Sequence, residues 1–334
     1  MRKDRCPMTS TTARALSTDE IPVIDIAPLV DGSDPDRAAD QLGWAATEVG
    51  FIYVENHGIP ESLLTHARST GLEFFRHSLE DKSQVSSNIH HHGYLRPGAT
   101  KMYDDAKVDL KESYNFGIEL TEDQARNATT RLLGPNRWPS FMPSLQKAIY
   151  PFFEAATRCA TVLLEGFARA GGHAPDTFTR SSDLPVSRGS LQYYPPRPDN
   201  SAPDRFSLAP HTDFGVLTVL AQDSVGGLEI QGLDGEWLAA PPIPGTLVVN
   251  VGDLLGRWSN DTFRSTPHRV INSSGQERLS LVLAYDPNAE TVVDSGLFCS
   301  DDETPKYEAI TCGDYLEWRF GKAFEYRSSE DAKR

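Results

Sequence analysis

Apolar residues recur along this chain in two rhythms. Over residues 35–49, 63–75 and 141–171 they return every three or four positions, which predicts amphipathic helices. The longest carries Ile149, Phe152, Phe153, Ala156, Ala160, Leu163, Leu164 and Phe167 as its stripe, and Gly171-Gly172 supplies its stop. Short β-like runs at residues 21–26 and 51–54 alternate with the first helices, giving an α/β N-terminal layer. From Gly189 the rhythm shortens. The runs LQYY, GVLTVLAQ, GGLEIQG, EWLAA, GTLVVNVG, HRVIN and RLSLVLAYDP follow one another, punctuated by Gly, Pro, Asn and Asp. Many short antiparallel strands in succession predict a sandwich or barrel such as a jelly roll. A last helix is expected over residues 311–324. Residues 84–140 show the least regular pattern, with His90-His91-His92, Gly93, Pro97 and Gly98 marking a loop.

The expected order is therefore a tail at 1–20, an α/β region at 21–140 and a long supporting helix within 141–188. A β core at 189–290 and a C-terminal helix and tail at 291–334 complete it. The fold class is mainly β with surrounding helices. A hydrophobic share of 39% and a charged share of 24% belong to a folded chain and exclude wholesale disorder. With 32 Lys and Arg against 47 Asp and Glu, the net charge of −15 repels phosphate backbones and anionic lipid. No nucleic-acid or membrane partner is expected, and no apolar stretch approaches the length of a membrane span. Residues 1–20 lack an apolar signal core, and Cys6, Cys159, Cys299 and Cys312 form no CxxC pair. Free thiols in a reducing cytoplasm are the expectation, in a monomer that acts on or binds a small molecule.

His211-Thr212-Asp213 stands at the entrance of a β run, where side chains two apart face the same way. His268 begins another strand of the same block. Two imidazoles and one carboxylate on one face make the facial triad of non-heme Fe(II) oxygenases, which leaves positions open for O2 and a bidentate co-substrate. Zinc more often takes a tetrahedral site with one open position. A two-residue HxD match is weak alone, and a lone buried histidine is more often a satisfied core residue. Arg278 and Ser280 open the apolar strand RLSLVLAY and share a face with Val282 and Ala284. An arginine entering a core needs a carboxylate, and its planar fork takes one bidentately. That carboxylate is an internal Asp or Glu or, beside iron, a dicarboxylate co-substrate. Tyr194 before Pro195 is by itself a strand aromatic. Asp253 in VNVGDLL reads as a turn between strands, and the histidine run at 90–92 reads as loop.

Taken together, these motifs resemble the 2-oxoglutarate/Fe(II)-dependent dioxygenases of the isopenicillin N synthase-like group over about residues 21–325. The similar segments are IPVIDIAPL, GFIYVENHGIP, HGYLRPG, DLKESYNFG, LQYYPP, HTDFGVLTVLAQD, STPHRVIN and RLSLVLAYDPN, in that order, together with the long run from GGLEIQG to VVNVGDLL. The resemblance implies a double-stranded β-helix core, with His211, Asp213 and His268 as iron ligands. It also implies that Arg278 and Ser280 hold the distal carboxylate of 2-oxoglutarate, assisted by Tyr194. Gln192 stands where the group commonly has Asn or Arg, two residues before that tyrosine. The implied reaction uses Fe(II), 2-oxoglutarate and O2 to oxidise an unactivated C–H of a small molecule, as in specialised metabolism. Hydroxylation, desaturation and cyclisation are all open to it, with release of succinate and CO2. Isopenicillin N synthase and aminocyclopropane carboxylate oxidases keep a similar Arg-x-Ser pair without using 2-oxoglutarate, so an oxidase of that kind is the alternative. A non-catalytic jelly-roll binder is the more distant one. Segment 90–118 is expected over the barrel mouth, which makes Tyr94, Arg96, Tyr103 and Phe116 candidate substrate contacts. Phe214, just past Asp213, is a further candidate at the rim. For each aromatic, plain packing is the competing role.

Overall fold

A computed structural model describes residues 13–15, 21–99, 110–128, 130–196, 207–300 and 302–324. Two β-sheets face each other. The larger has eight strands in the order Val23–Asp25, Phe51–Glu55, Leu247–Val251, Leu217–Ala221, Arg278–Tyr285, Arg188–Tyr194, Glu112–Gly117 and Gly93–Leu95. The smaller runs Arg14–Ala15, Trp237–Ala239, Leu228–Gln231, His268–Val270 and Leu208–His211. Pairing is antiparallel except where Val23–Asp25 meets Phe51–Glu55 and where Arg14–Ala15 meets Trp237–Ala239. This is the double-stranded β-helix with helices around it.

The strand Arg278–Tyr285 explains why the core reads as nearly continuous apolar sequence. Leu279, Leu281 and Leu283 are fully buried in the helix-side core, while Arg278, Ser280, Val282 and Ala284 take the other face. Truncating such a leucine costs about 2–5 kcal/mol. The helix-side core is closed by Ser144–Ala170, which packs against helices Pro35–Glu48 and Glu61–Arg76 and on the sheet. A second, smaller cluster fills the space between the sheets with Phe51, Leu208, Leu228, Ile230, Val248 and Val270. The C-terminal helix Cys312–Ala323 is started by Thr311, whose hydroxyl accepts the Asp314 N–H at 3.1 Å.

Segment 84–140 departs from its expected irregularity. Glu112–Gly117 pairs along its whole length with Arg188–Tyr194, and Gly93–Leu95 adds the sheet's last strand. The alternation is present as Ser113, Tyr114, Asn115, Phe116. Here the polar face lines a cavity instead of meeting solvent, so it does not read as a surface strand. Strand Leu208–His211 also departs from the pattern, because Pro210 interrupts it. A proline is tolerated there since the strand lies at the sheet's edge. Asp253 is not a turn between strands: it opens the helix Asp253–Trp258.

Candidate functional site

His211 closes the edge strand, and His268 opens the strand beside it; the two are paired directly across the ladder. Their ring centroids are 4.2 Å apart. Asp213 lies past the end of its strand, in the loop that follows, so the expected period-two placement on one strand does not hold. The loop instead folds back toward both rings. Each Nε2 lies 3.7 Å from Asp213 Oδ1, and one ligand atom from each residue falls within 4.8 Å of the others.

The opposite atoms of all three side chains are committed to the protein. His211 Nδ1 lies 2.8 Å from the Ala209 carbonyl and His268 Nδ1 3.3 Å from that of Thr266. Carbonyls accept, so both Nδ1 atoms carry the proton and each Nε2 presents a lone pair to the centre. Asp213 Oδ2 accepts from the Thr218 hydroxyl at 2.6 Å and the Asn250 amide at 2.8 Å, leaving Oδ1 turned toward the imidazoles. Burial and then the adjacent His268 ring push His211 well below the ordinary imidazole value, which keeps it neutral. Burial alone would raise the Asp213 carboxyl. The facing His268 and His211 rings and the bonds from Asn250 and Thr218 outweigh it, so the group is held below its usual value and ionised. Neutral imidazoles and a charged carboxylate are the forms that ligate a metal.

The Asp213 loop is clamped by the start of helix Asp253–Trp258. The Asp253 N–H donates to the Asp213 carbonyl at 2.7 Å and the Leu254 N–H to the Gly215 carbonyl at 3.0 Å. Approach this close needs glycine: a Cβ on Gly252 would stand 2.1 Å from the Gly215 oxygen. The Asp253 carboxylate accepts from Thr212 at 3.1 Å and Ser265 at 2.7 Å, and pairs with Arg319 of the C-terminal helix at 3.0 Å. Arg319 in turn covers the ring of Phe214 at 4.1 Å. Sequence reasoning missed this role for Asp253; a polar residue beginning an apolar GDLL run was the available helix-start signal.

Arg278 and Ser280 sit on the barrel-side face of their strand, each 1% exposed. Arg278 Nε and Nη1 and the Ser280 hydroxyl have no hydrogen-bond partner, and among the described residues no carboxylate reaches the guanidinium. The internal Asp or Glu that the sequence left open is thus not among them. The guanidinium lies 4.7 Å over the ring of Tyr194, its partner across the ladder. A buried charge with unfilled donors costs several kcal/mol unless an anion arrives. The donor set, an arginine fork beside a hydroxyl, fits the far carboxylate of a dicarboxylate.

Val282 and Ala284, farther along that face, line a cavity of about 160 Å³ that also contacts His211, Asp213 and Phe214. Its opposite wall is polar. Lys111 Nζ donates to Gln192 at 2.8 Å, Gln192 to Ser190 at 2.6 Å, Ser190 to Asn115 at 2.5 Å, and the Asn115 amide to His91 Nε2 at 3.1 Å. Arg188 reaches the same space but is paired with buried Asp286 at 3.0 Å. Of the expected substrate contacts, Phe214 lines the cavity. Tyr94 and Phe116 are buried in the helix-side core instead: Tyr94 donates to Glu112, and Phe116 packs on Trp138 and Phe153. The alternation explains this, since it is Ser113 and Asn115 that face the cavity. Arg96 is exposed and not part of the lining, and Tyr103 lies outside the described residues. His91, read as loop, is in the wall.

Residues 21–141 match the family described as the N-terminal region of non-haem dioxygenases in morphine synthesis, and residues 189–287 match the 2OG-Fe(II) oxygenase superfamily. The chain is 32% identical to a 2-oxoglutarate-Fe(II) type oxidoreductase, ppzC, of Metarhizium majus, over 96% of this chain and 92% of that protein. It is 35% identical to a homoarginine-6-hydroxylase of Glycine max, over 82% and 87%. Among solved structures, a full-length Neurospora crassa protein in complex with alpha-KG superposes with a TM-score of 0.80 at 29% identity, covering 92% of this chain and 98% of that one.

Proposed function

Because the chain belongs to the 2-oxoglutarate/Fe(II)-dependent dioxygenases of the isopenicillin N synthase-like type, we propose that His211, Asp213 and His268 hold its iron and that Arg278 and Ser280, with Tyr194, hold the far carboxylate of its 2-oxoglutarate. The observation that carries this assignment is the pair of unfilled donors on Arg278, next to an unfilled Ser280 hydroxyl, in the barrel that also holds the triad. Bound there, iron and 2-oxoglutarate supply with O2 the capacity to oxidise an unactivated C–H of a small molecule, with succinate and CO2 as co-products.

The chain's own contribution is placement. The Ala209 and Thr266 carbonyls fix the two histidine tautomers, and Thr218 and Asn250 fix which carboxylate oxygen faces the centre. The Asp253 clamp holds the intervening loop. Val282 and Ala284 give the cavity an apolar side, and the polar wall opposite positions the substrate. A role in specialised metabolism, as a cytoplasmic monomer, belongs to the same reading. Its cytoplasmic part is supported by Cys159, Cys299 and Cys312, which are free thiols as in a reducing compartment. Among the described residues no helix is long and apolar enough to cross a membrane. Light scattering on the purified protein checks the monomer.

The test of the site is spectroscopic and needs no substrate. Apo-protein loaded anaerobically with Fe(II) and then given 2-oxoglutarate develops the weak visible charge-transfer band of a chelated 2-keto acid, and His268→Ala abolishes it. Iron binding without a band would assign Arg278 to another carboxylate and favour an oxidase that does not use 2-oxoglutarate.

A further inference from the structure

His91 holds a backbone conformation that side chains avoid, with φ of 63°. Asn88 fixes the turn: its carbonyl takes the His91 N–H at 2.9 Å, and its side chain takes those of His90 and His92. The result turns the imidazole into the cavity, 5.0 Å from the ring of Phe320 and 4.4 Å from that of Phe324. Strain at a residue lining a reactive cavity points to a role there.

The hydrogen-bond order fixes what this wall offers. Asn115 Oδ1 can only accept, so the Ser190 hydroxyl, which also receives the Gln192 amide, donates to it. The Asn115 NH2 then points to His91, whose Nε2 accepts. What remains for a ligand is donor-rich: the second N–H of Asn115 and that of Gln192. Among the described lining residues the only carboxylate is the metal-facing Asp213. A flat ring carrying an acceptor matches both the aromatic group and the amides.

We propose that His91, oriented by Asn115, determines specificity for the primary substrate, and that this substrate is a flat unsaturated ring bearing a carbonyl-type acceptor. The inference rests on the site assignment above and deepens it. Its test uses anaerobic enzyme loaded with Fe(II) and 2-oxoglutarate and three probes. These are 2-pyridone (flat, acceptor), 2-piperidone (same acceptor, puckered) and agmatine (flexible cation), each titrated by its perturbation of the visible band and by thermal shift. The expected order is 2-pyridone tightest, 2-piperidone weaker and agmatine weakest. His91→Asn keeps a residue that tolerates the left-handed backbone, so the band should form at the same 2-oxoglutarate concentration. 2-Pyridone should bind about tenfold more weakly to it. Asn115→Ser should lose a similar factor. Tighter binding of agmatine, unchanged 2-pyridone affinity in His91→Asn, or no 2-pyridone binding to the wild type would each overturn the proposal. Failure of the band itself would instead strike the metal and co-substrate assignment.

Discussion

The two ends of the cavity are built on different principles. At the end that holds the His211-Asp213-His268 cluster, the histidines sit on neighbouring paired strands, and each side chain has its far atom tied to a backbone carbonyl or a polar partner. At the other end, the wall is assembled from a strained loop residue, one face of strand Glu112–Gly117 and the C-terminal helix, which are remote in sequence. The first arrangement fixes a chemistry, and the second can be changed piecemeal without disturbing it. The contrast teaches where a shared reaction and a private substrate are written in one barrel.

The contrast can be broken most drastically at the triad. His211→Ala or Asp213→Ala should abolish iron-dependent 2-oxoglutarate turnover while far-ultraviolet circular dichroism stays native; full activity in either would end the ligand assignment. Arg278 comes next. Arg278→Ala should weaken 2-oxoglutarate about 100-fold by titration of the visible band, with iron affinity little changed. A sharper version uses stability alone: without 2-oxoglutarate, Arg278→Met should melt above the wild type, because it removes an unpaired buried charge. Saturating 2-oxoglutarate should reverse the order, and a wild type that melts higher in both conditions would mean the guanidinium is already satisfied. Asn250→Ala strips one of the two donors from Asp213 Oδ2 and should lower iron affinity about 10-fold or somewhat more, measured by competition with a chelator.

The smallest expected effect concerns Asp286 beneath the wall. Burial raises its carboxyl to about 6, against the opposing pull of Arg188. A folded carboxyl that titrates above its unfolded value binds its proton more readily in the native state. Its contribution to stability is therefore largest below the unfolded value near 3.8 and is lost as pH rises to about 6. Asp286→Asn should flatten that part of the denaturation profile. A slope unaltered by the substitution would assign the titration elsewhere.

How much of this was legible follows from the same contrast. The shared face of Arg278 and Ser280 was readable because a single period-two strand carries both, and the clustering of His211 with Asp213 because they are two residues apart; His268 was reached only as the start of another strand in the same β block. Even there the route differed, since Asp213 arrives through a loop clamped by Asp253. The wall was not readable, because Asn115 and His91 meet across a turn and an edge strand, and His91 meets Phe320 only once the last helix has returned to the barrel. Phe116 was chosen and Asn115 passed over by one residue of phase. On a strand, one residue is the difference between the core and the cavity.

The C-terminal helix is synthesised after His211, Asp213, His268, Arg278 and Ser280, the residues of the proposed iron and 2-oxoglutarate sites. A chain still on the ribosome can thus have its ligand strands folded while Phe320, Phe324 and Arg319 have yet to dock. On the proposed ligand assignment, iron captured at that moment would meet a cavity still missing the wall that Phe320 and Phe324 form, so docking of this helix would be the last step in enclosing it.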